Sequence, residues 1–367
     1  MKPEVIQRYY EQHPSAQWLA LASISIASFV ISLTMSAVNV AVPAIALDLG
    51  ANAVLVSWIP TAFLLGNAIL LLPAGRLADI HGRKKIFLTG LLVFTAACLM
   101  GYLAPTIEFL LFTRLLQGLA GAMCFATGLA IVMSIFTSEN RGTAIGVASA
   151  TLYLGLSCGP VIGGWITEHY GWRNVFLFPL ALGFISTLMV VLRLKGEWLN
   201  QEPQKVDWFG GVIFAFWASA LFIGISYIPD PRAFMLLGAG IVCMIYFYHQ
   251  QVNSDYPLIR FKSIMENHTF LRSLLSNICI YASNYPFIFL FSLYLQFIQG
   301  MSPANAGQLM VLQPIMMAIV APIAGRLSDQ FEPRVIATFG CVVMATAFAI
   351  LQFIDTDTSV YLIGGAL

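Results

Sequence analysis

The hexapeptide AGRLAD at residues 74–79 returns 250 positions later as AGRLSD at residues 324–329, and this repetition decides the fold. Each copy ends a long apolar run, and basic residues follow each one, at 83–85 and at Arg334. A small residue, a charged pair and a basic turn at matching places indicate two related helix bundles. Many secondary transporters are built from such internal repeats.

The composition places the chain in a membrane. Of its 367 residues 59% are hydrophobic and only 10% are charged, and the mean hydropathy is +0.83. The apolar runs are about 20 residues long, the length that crosses a hydrocarbon core of roughly 30 Å. A membrane β-barrel would show short alternating segments instead. We therefore expect an all-α polytopic protein surrounded by a lipid bilayer.

Eleven spans are predicted along the chain. They cover residues 18–46, 53–75, 86–104, 107–135, 143–166, 174–193, 208–228, 233–250, 270–298, 304–325 and 334–354. A twelfth begins near Val360 and stops at Leu367. We expect the chain to be a fragment, incomplete at its C-terminus, and we expect this form not to transport on its own.

The distribution of Lys and Arg predicts the orientation. With the N-terminus in the cytoplasm, all of the 18 basic residues except Arg114, Arg173 and Arg232 fall on the cytoplasmic side. Membrane proteins keep their positive loops on that side. We predict a multi-pass protein of the plasma (inner) membrane with a cytoplasmic N-terminus.

The span order predicts a plan of six, two and six helices. Residues 1–193 form the first six-helix bundle. Residues 194–250 hold a charged linker and two inserted helices, and residues 251–367 hold an incomplete second bundle of three helices and a stub. Two helices with their turns take about 50 residues, so halves of about 200 residues would be spaced by the observed 250.

The repeated motif supplies candidate residues for a conformational switch. Gly75 and Gly325 would let two helices approach closely. Asp79 lies just past a helix end, where its carboxylate can pair with Arg83 or with the positive N-terminus of a neighbouring helix. Asp329 is its counterpart in the second copy. Such contacts can form in one conformation and break in another. The alternative is that the basic residues only set the topology.

Arg114 is the only charged residue well inside a span. A buried arginine at a helix centre costs at least ~2.5–3.5 kcal/mol, which predicts a cavity or a polar partner. Gln117 and Gly118 follow it closely and join the switch candidates. The alternative is that Arg114 reaches the outer face along its own stem.

The fifth span carries a glycine stripe. Gly155, Gly159 and Gly163 recur every fourth residue, which gives a flat strip for close helix contact. Pro160 removes one backbone hydrogen bond and bends the helix there. A bendable, tightly packed helix suits a gate, and simple packing is the alternative.

Polar residues inside the spans are candidates for a substrate cavity, because polar groups in a bilayer need partners or water. The candidates are Thr34, Ser36, Asn39, Asn277, Tyr281, Asn284 and Gln313. Hydrogen bonds between helices, without contact to a ligand, are the alternative for each.

Signals of an enzyme are weak. The spans hold no His, Asp and Glu cluster, so no catalytic residue is predicted, and the absence of a Walker loop excludes ATP as the energy source. The six cysteines lie in apolar runs without a CxxC spacing and are expected to be packing residues. We expect no cofactor, no metal and no nucleic-acid partner.

With these residues in view, the chain resembles the major facilitator superfamily over residues 18–354, in particular its 14-helix drug:proton antiporter branch. Residues 75–85 look like the loop motif between the second and third helices. Arg114, Gln117 and Gly118 resemble the fourth-helix motif, whose arginine the family ties to proton coupling. Residues 155–164 resemble the antiporter motif of the fifth helix. Where the family has a first-helix aspartate, this chain has Thr34.

The resemblance implies a secondary active transporter of the multidrug efflux type that works by alternating access. Small amphipathic compounds are the expected substrates, and protons are a candidate coupling ion. All 17 acidic residues lie in loops, tails or helix ends, although a proton-driven antiporter needs a titrating group. Three alternatives stay open: a facilitator without proton coupling, an importer, and a non-transporting relative that serves as a receptor or scaffold.

Overall fold

The computed structural model describes residues 3–198, 206–301 and 303–351, and these residues form helices and no strand. The helices are α1 (Pro3–Gln12), α2 (Pro14–Asp48), α3 (Ala53–His81), α4 (Arg83–Tyr102), α5 (Ile107–Ile135), α6 (Arg141–Tyr170), α7 (Leu177–Arg193), α8 (Trp208–Ser226), α9 (Pro231–Asn253), α10 (Phe261–Glu266), α11 (His268–Leu293), α12 (Pro303–Met310), α13 (Leu312–Gln330) and α14 (Pro333–Leu351). A 3-10 turn (Trp172–Phe176) precedes α7, and a π-helical turn (Tyr294–Ile298) follows α11.

The predicted all-α membrane fold is confirmed. Within the described ranges, ten helical stretches are long and apolar enough to cross a membrane. They match ten of the predicted spans, and α11 matches the remaining one, the span predicted at 270–298. The span predicted from Val360, and residues 199–205 of the linker, lie outside the described residues.

Local sequence explains where the helices begin. The Asn52 side chain accepts a hydrogen bond from the Leu55 amide at the start of α3, and Thr106 accepts one from Phe109 at the start of α5. These caps satisfy amide groups that have no partner inside the helix. Between α3 and α4 the chain reverses at Gly82, whose φ of +104° is strained for any residue with a side chain.

Helices α2 to α7 form a compact first bundle, in which α2 packs mainly on α6 and α3 packs mainly on α5. The α3–α5 crossing is close, because a Cβ added to Gly66 would lie within 3.0 Å of the Leu115 carbonyl, and one added to Gly118 within 3.0 Å of the Phe63 carbonyl. Small residues let membrane helices approach to this distance. This close crossing places the Arg114 side chain of α5 against the backbone of α3.

The two ends of this bundle differ. One end, called the α1 end here, carries α1, the α3–α4 turn and the start of α6. At the opposite end the Asp48 carboxylate accepts hydrogen bonds from Trp172 Nε1 at 3.0 Å and from the Arg173 guanidinium. Arg173 also donates to the Ala104 carbonyl at 3.2 Å. This cluster ties the ends of α2 and α4 to the turn before α7.

Helices α8 and α9 are joined by a partly buried polar cluster. Asp207 Oδ2 accepts hydrogen bonds from Gln250 at 2.9 Å and from Gln251 at 2.7 Å, while Asp207 Oδ1 caps α8 through the Gly210 amide at 2.8 Å. Gln251 is only 2% exposed. Its carbonyl oxygen accepts from the amides of residues 258 and 259, at 2.5 and 3.1 Å. One side chain therefore connects two helices and the turn that follows them.

Replacing Gln251 with alanine is expected to destabilise this helix pair. The change removes one of the two side-chain hydrogen bonds to Asp207 Oδ2 and leaves two backbone amides without a partner, and each amide left unpaired costs about 1–3 kcal/mol. Gln251→Ala should lower the melting temperature of the purified protein in detergent by several degrees. Gln250→Ala is the matched control, because Gln250 bonds Asp207 and the Gln251 side chain but none of these amides. Equal melting temperatures for the two variants would show that the hydrogen bonds from the two backbone amides to Gln251 do not stabilise the helix pair.

Candidate functional site

A polar contact joins the end of α13 to the start of α6, two elements far apart in the sequence. Asp329 Oδ1 accepts a hydrogen bond from the Gly142 amide at 2.6 Å. Asp329 Oδ2 accepts from the Thr143 amide at 2.8 Å and from the Thr143 hydroxyl at 2.6 Å. A helix N-terminus presents unpaired amides and a partial positive charge, so a carboxylate binds there favourably. We call this contact the latch.

Glycines bring the two helices together at the latch. A Cβ on Gly325 would lie within 3.0 Å of the Gly142 carbonyl oxygen, and a Cβ on Gly146 within 3.0 Å of the Ala321 carbonyl oxygen. The backbones therefore touch along one turn of each helix, which places Asp329 over the first amides of α6. Sequence reasoning missed Gly142, Thr143 and Gly146, although the four-residue spacing of the two glycines was a usable signal.

The first copy of the motif has different partners. Asp79 pairs with Arg83 at 3.2 Å, and both side chains are partly exposed. Arg83 also donates to the Ala130 carbonyl at 3.1 Å and to the Ser134 hydroxyl at 2.8 Å, so it ties α4 to α5. A Cβ on Gly75 would meet nothing within 4 Å, whereas its repeat partner Gly325 is tightly packed. The two predicted modes for the aspartate both occur, one in each half.

Arg114 is fully buried between α3 and α5. Its Nε donates to the Ile59 carbonyl at 3.2 Å, one terminal nitrogen donates to Gln117 at 2.7 Å, and the guanidinium lies 4.8 Å from the centre of the Phe63 ring. The other terminal nitrogen has no hydrogen-bond partner. In the described part of the chain the ion pairs are Arg83–Asp79 and Arg173–Asp48, and Arg114 joins neither. Arg114 is thus a buried cation held by neutral groups.

The glycine stripe of α6 faces α2. Cβ atoms on Gly155, Gly159 and Gly163 would each lie within 3.0 Å of atoms of α2. Pro160 lies inside the same helix. Because α6 also carries the latch at its start, one helix packs on α2 along one face and on α13 along another.

A cavity of about 510 Å³ opens between α6 and the helices α11, α13 and α14. Its polar side chains are Tyr153, Asn284 and Gln313, and the rest of its lining is apolar, aromatic or methionine. The lining includes Phe287, Met316, Met317, Val320, Met344 and Phe348, and it holds no charged residue. Mostly apolar cavities with a few polar groups are typical of small-molecule sites.

The structure places the other predicted cavity residues elsewhere. Thr34 is buried and donates to the Val30 carbonyl of its own helix at 2.7 Å, whereas Ser36 donates to the Leu156 carbonyl of α6 at 2.9 Å. Both hydroxyls therefore bond backbone carbonyls. Asn39, Asn277 and Tyr281 are exposed and do not line this cavity. Of the seven candidates, Asn284 and Gln313 are the two that line this cavity.

Comparison with known proteins agrees with this architecture. The sequence profile of the Major Facilitator Superfamily matches residues 24–367. The chain belongs to the major facilitator superfamily. The proton:xylose symporter XylE superposes with a TM-score of 0.67 at 11% identity, over 96% of this chain and 78% of XylE. The human organic anion transporter MFSD10 superposes with a TM-score of 0.59 at 16% identity, over 97% of this chain and 83% of its own length. These likenesses show the fold.

Curated relatives in the superfamily are similar in sequence. The riboflavin transporter RibZ of Clostridioides difficile is 28% identical over 95% of this chain and 76% of its own length. The multidrug transporter protein MdtP of Bacillus subtilis is 29% identical over 95% of this chain and 65% of its own length. The multidrug resistance protein Stp of Mycobacterium tuberculosis is 26% identical over 95% of this chain and 66% of its own length. The chain thus spans about two thirds of the length of two of these relatives. Membership of this superfamily agrees with the expectation that the chain is not an enzyme.

Proposed function

We propose that this protein exports small, uncharged amphipathic compounds across a bacterial inner membrane by alternating access. The observation that carries the proposal is the cavity between α6 and α11–α14, which lies between the two halves and is lined by aromatic and methionine side chains with three polar groups. An apolar cavity favours solutes that bury their surface, and side-chain amides and a phenol can bond a carbonyl or hydroxyl of the solute. Relatives named multidrug and riboflavin transporters support a small-molecule substrate.

The latch suits a switch in such a cycle. It closes the α1 end between the halves, so the cavity would open toward the opposite end while the latch is formed. Breaking the Asp329 contacts would let the α1 end open, and the two conformations would alternate. The excess of Lys and Arg at the α1 end supports a cytoplasmic position for this end.

We further propose the organisation that the repeat predicts. Residues 1–193 would form the first bundle, residues 194–250 the linker with the inserted helix pair, and residues 251–367 part of the second bundle. The inserted pair supports membership of the 14-helix branch.

Transport without proton coupling is the second candidate. It is favoured because Thr34 occupies the family's aspartate position, and because Arg114 has neutral partners in the described residues. A proton-driven cycle needs a group that gains and loses a proton within the membrane. A proton ionophore that collapses the gradient in vesicles separates the candidates: export against a substrate gradient stops in an antiporter, whereas the downhill flux through a facilitator is unchanged.

Export is tested with a neutral and a cationic dye. The protein, expressed in a host without its own exporters, should lower the accumulation of neutral Nile red more than that of cationic ethidium. Gln313→Ala and Asn284→Ala should each reduce Nile red export severalfold, whereas Asn277→Ala, an exposed position on the same helix as Asn284, should not. Faster uptake would favour the importer, and no movement in either direction would favour the receptor or scaffold.

A further inference from the structure

The residues that follow α7 fold back onto the first copy of the switch motif. Glu197 Oε1 accepts a hydrogen bond from the Lys84 amide at 2.9 Å, and the Trp198 carbonyl accepts one from the Arg83 amide at 3.2 Å. The Lys84 ammonium donates to the Leu194 carbonyl. The 194–198 segment therefore satisfies the first two amides of α4, which have no partner within their helix.

The turn before α4 is shaped to receive this carboxylate. A Cβ on Gly82 would lie within 3.0 Å of the carboxyl carbon of Glu197. A negative charge at a helix N-terminus is also electrostatically favourable. Glu197 thus fills a space that exists because residue 82 lacks a side chain.

Helix α1 holds the 194–198 segment in place. The Tyr10 hydroxyl donates to the Lys195 carbonyl at 3.0 Å and accepts from the Lys195 amide at 2.9 Å. Ile6 packs on Gly196, and both Ile6 and Tyr10 are fully buried. Burial raises the pKa of Tyr10, so the hydroxyl stays protonated and can donate. The spacing of four residues puts both side chains on one face of α1, while Arg8 and Glu11 face outward.

These contacts end at the Asp79–Arg83 pair. Arg83 is the first residue of α4, and its backbone is bonded to Trp198 while its side chain spans Asp79, Ala130 and Ser134. The direction in which the guanidinium leaves α4 depends on the first helical turn. That turn is held from outside the bundle, by the 194–198 segment.

We propose that Glu197 is a positioning residue for Arg83, and that α1 keeps Glu197 in place through Tyr10. The conformation of the first copy of the switch motif then depends on α1 and on the 194–198 segment, as well as on the residues of the motif. The expected effect of Glu197 on transport rests on the proposed alternating access, whereas its effect on the position of Arg83 does not.

The test is a double-mutant cycle read by the distance between spin labels at positions 81 and 138, in a background without native cysteines. These exposed positions report the end of α3 against the α5–α6 turn. Glu197→Ala should shift the population ratio of the distance distribution about fivefold, the size of one hydrogen bond. Glu197→Gln keeps the acceptor oxygen and should restore the parent distribution, and Tyr10→Phe should give a smaller shift in the same direction.

The double variants decide between positioning and general stability. If Glu197 acts through Arg83, then Glu197→Ala combined with Arg83→Ala should match Arg83→Ala alone, in the distance distribution and in the transport rate. Additive shifts would overturn the proposal, and so would a Glu197→Ala variant that lowers only the melting temperature. A protein that shows the distance result but moves no dye would contradict the proposed transport and leave the positioning intact.

Discussion

Asp329→Ala is expected to separate the start of α6 from the end of α13. The substitution removes three hydrogen bonds to one carboxylate and its attraction to the helix N-terminus. Hydrogen bonds to charged groups contribute ~1.5–3 kcal/mol each and do not add fully, so a total of about 3 kcal/mol is reasonable. That value shifts the ratio of latched to open protein by roughly 100-fold. The readout is the distance between spin labels at positions 138 and 332.

Asp79→Ala is the matched control for the latch. Asp79 makes one ion pair, at 3.2 Å and partly exposed, and such pairs are worth at most ~1 kcal/mol. The Asp79→Ala variant should therefore leave the distance between labels at positions 138 and 332 unchanged. Asp329→Asn keeps one acceptor oxygen and should give an intermediate distribution. If Asp329→Ala keeps the parent distance while the protein remains folded, the latch does not hold the halves together.

Gly325→Ala is expected to disrupt the same interface through packing, whereas Gly75→Ala should be tolerated. The new Cβ at 325 would press on the backbone of α6 at Gly142, which cannot move aside as a side chain can. Overpacking of this kind costs about 1–3 kcal/mol. At Gly75 nothing lies within 4 Å, and alanine is about 1 kcal/mol better than glycine inside a helix.

Thermal unfolding of the two glycine variants in detergent measures this difference. Gly325→Ala should melt several degrees below the parent and lengthen the 138–332 distance, while Gly75→Ala should melt at or above it. Equal melting temperatures would show that the α6–α13 crossing is looser than the structure indicates. A Gly75→Ala protein that melts normally but no longer transports would indicate a second conformation in which Gly75 is packed.

Much of the architecture followed from local sequence. The apolar runs predicted the spans, because a helix that crosses a bilayer must be long and apolar. The repeated AGRL motif also pointed to Gly325 and Asp329 before any contact was known. The sequence also indicates why the two aspartates have different partners. Asp79 is followed four residues later by Arg83, which can form a local ion pair, whereas Asp329 is followed at that spacing by Pro333, which cannot.

The cavity was predicted less well, for a physical reason. Helical spacing places Asn277, Tyr281 and Asn284 near one another on α11. Which of them faces a cavity depends on the neighbouring helices, and of these three only Asn284 lines the same cavity as Gln313 of α13. The serine and threonine of α2 bond to backbone carbonyls instead. Polar character alone does not distinguish a packing contact from a binding contact.

Contacts between segments far apart in the chain were also missed. The hydrogen bonds of Tyr10 to Lys195 join residues 185 positions apart, and nothing in either segment's sequence specifies the other. Ile6 and Tyr10 show an amphipathic α1, but that pattern fits any apolar surface at the membrane boundary.

The cluster around Asp207 and Gln251 has a consequence for evolution. Its hydrogen bonds begin and end within residues 207–259, so the side chains of this cluster have their partners within one segment of the chain. A genetic insertion of such a unit leaves neither neighbouring bundle with a broken hydrogen bond. Such a segment can therefore be gained or lost as one module without removing a hydrogen-bond partner of this cluster from another helix, and its described contacts with α3 include the ring pair of Trp58 with Tyr227.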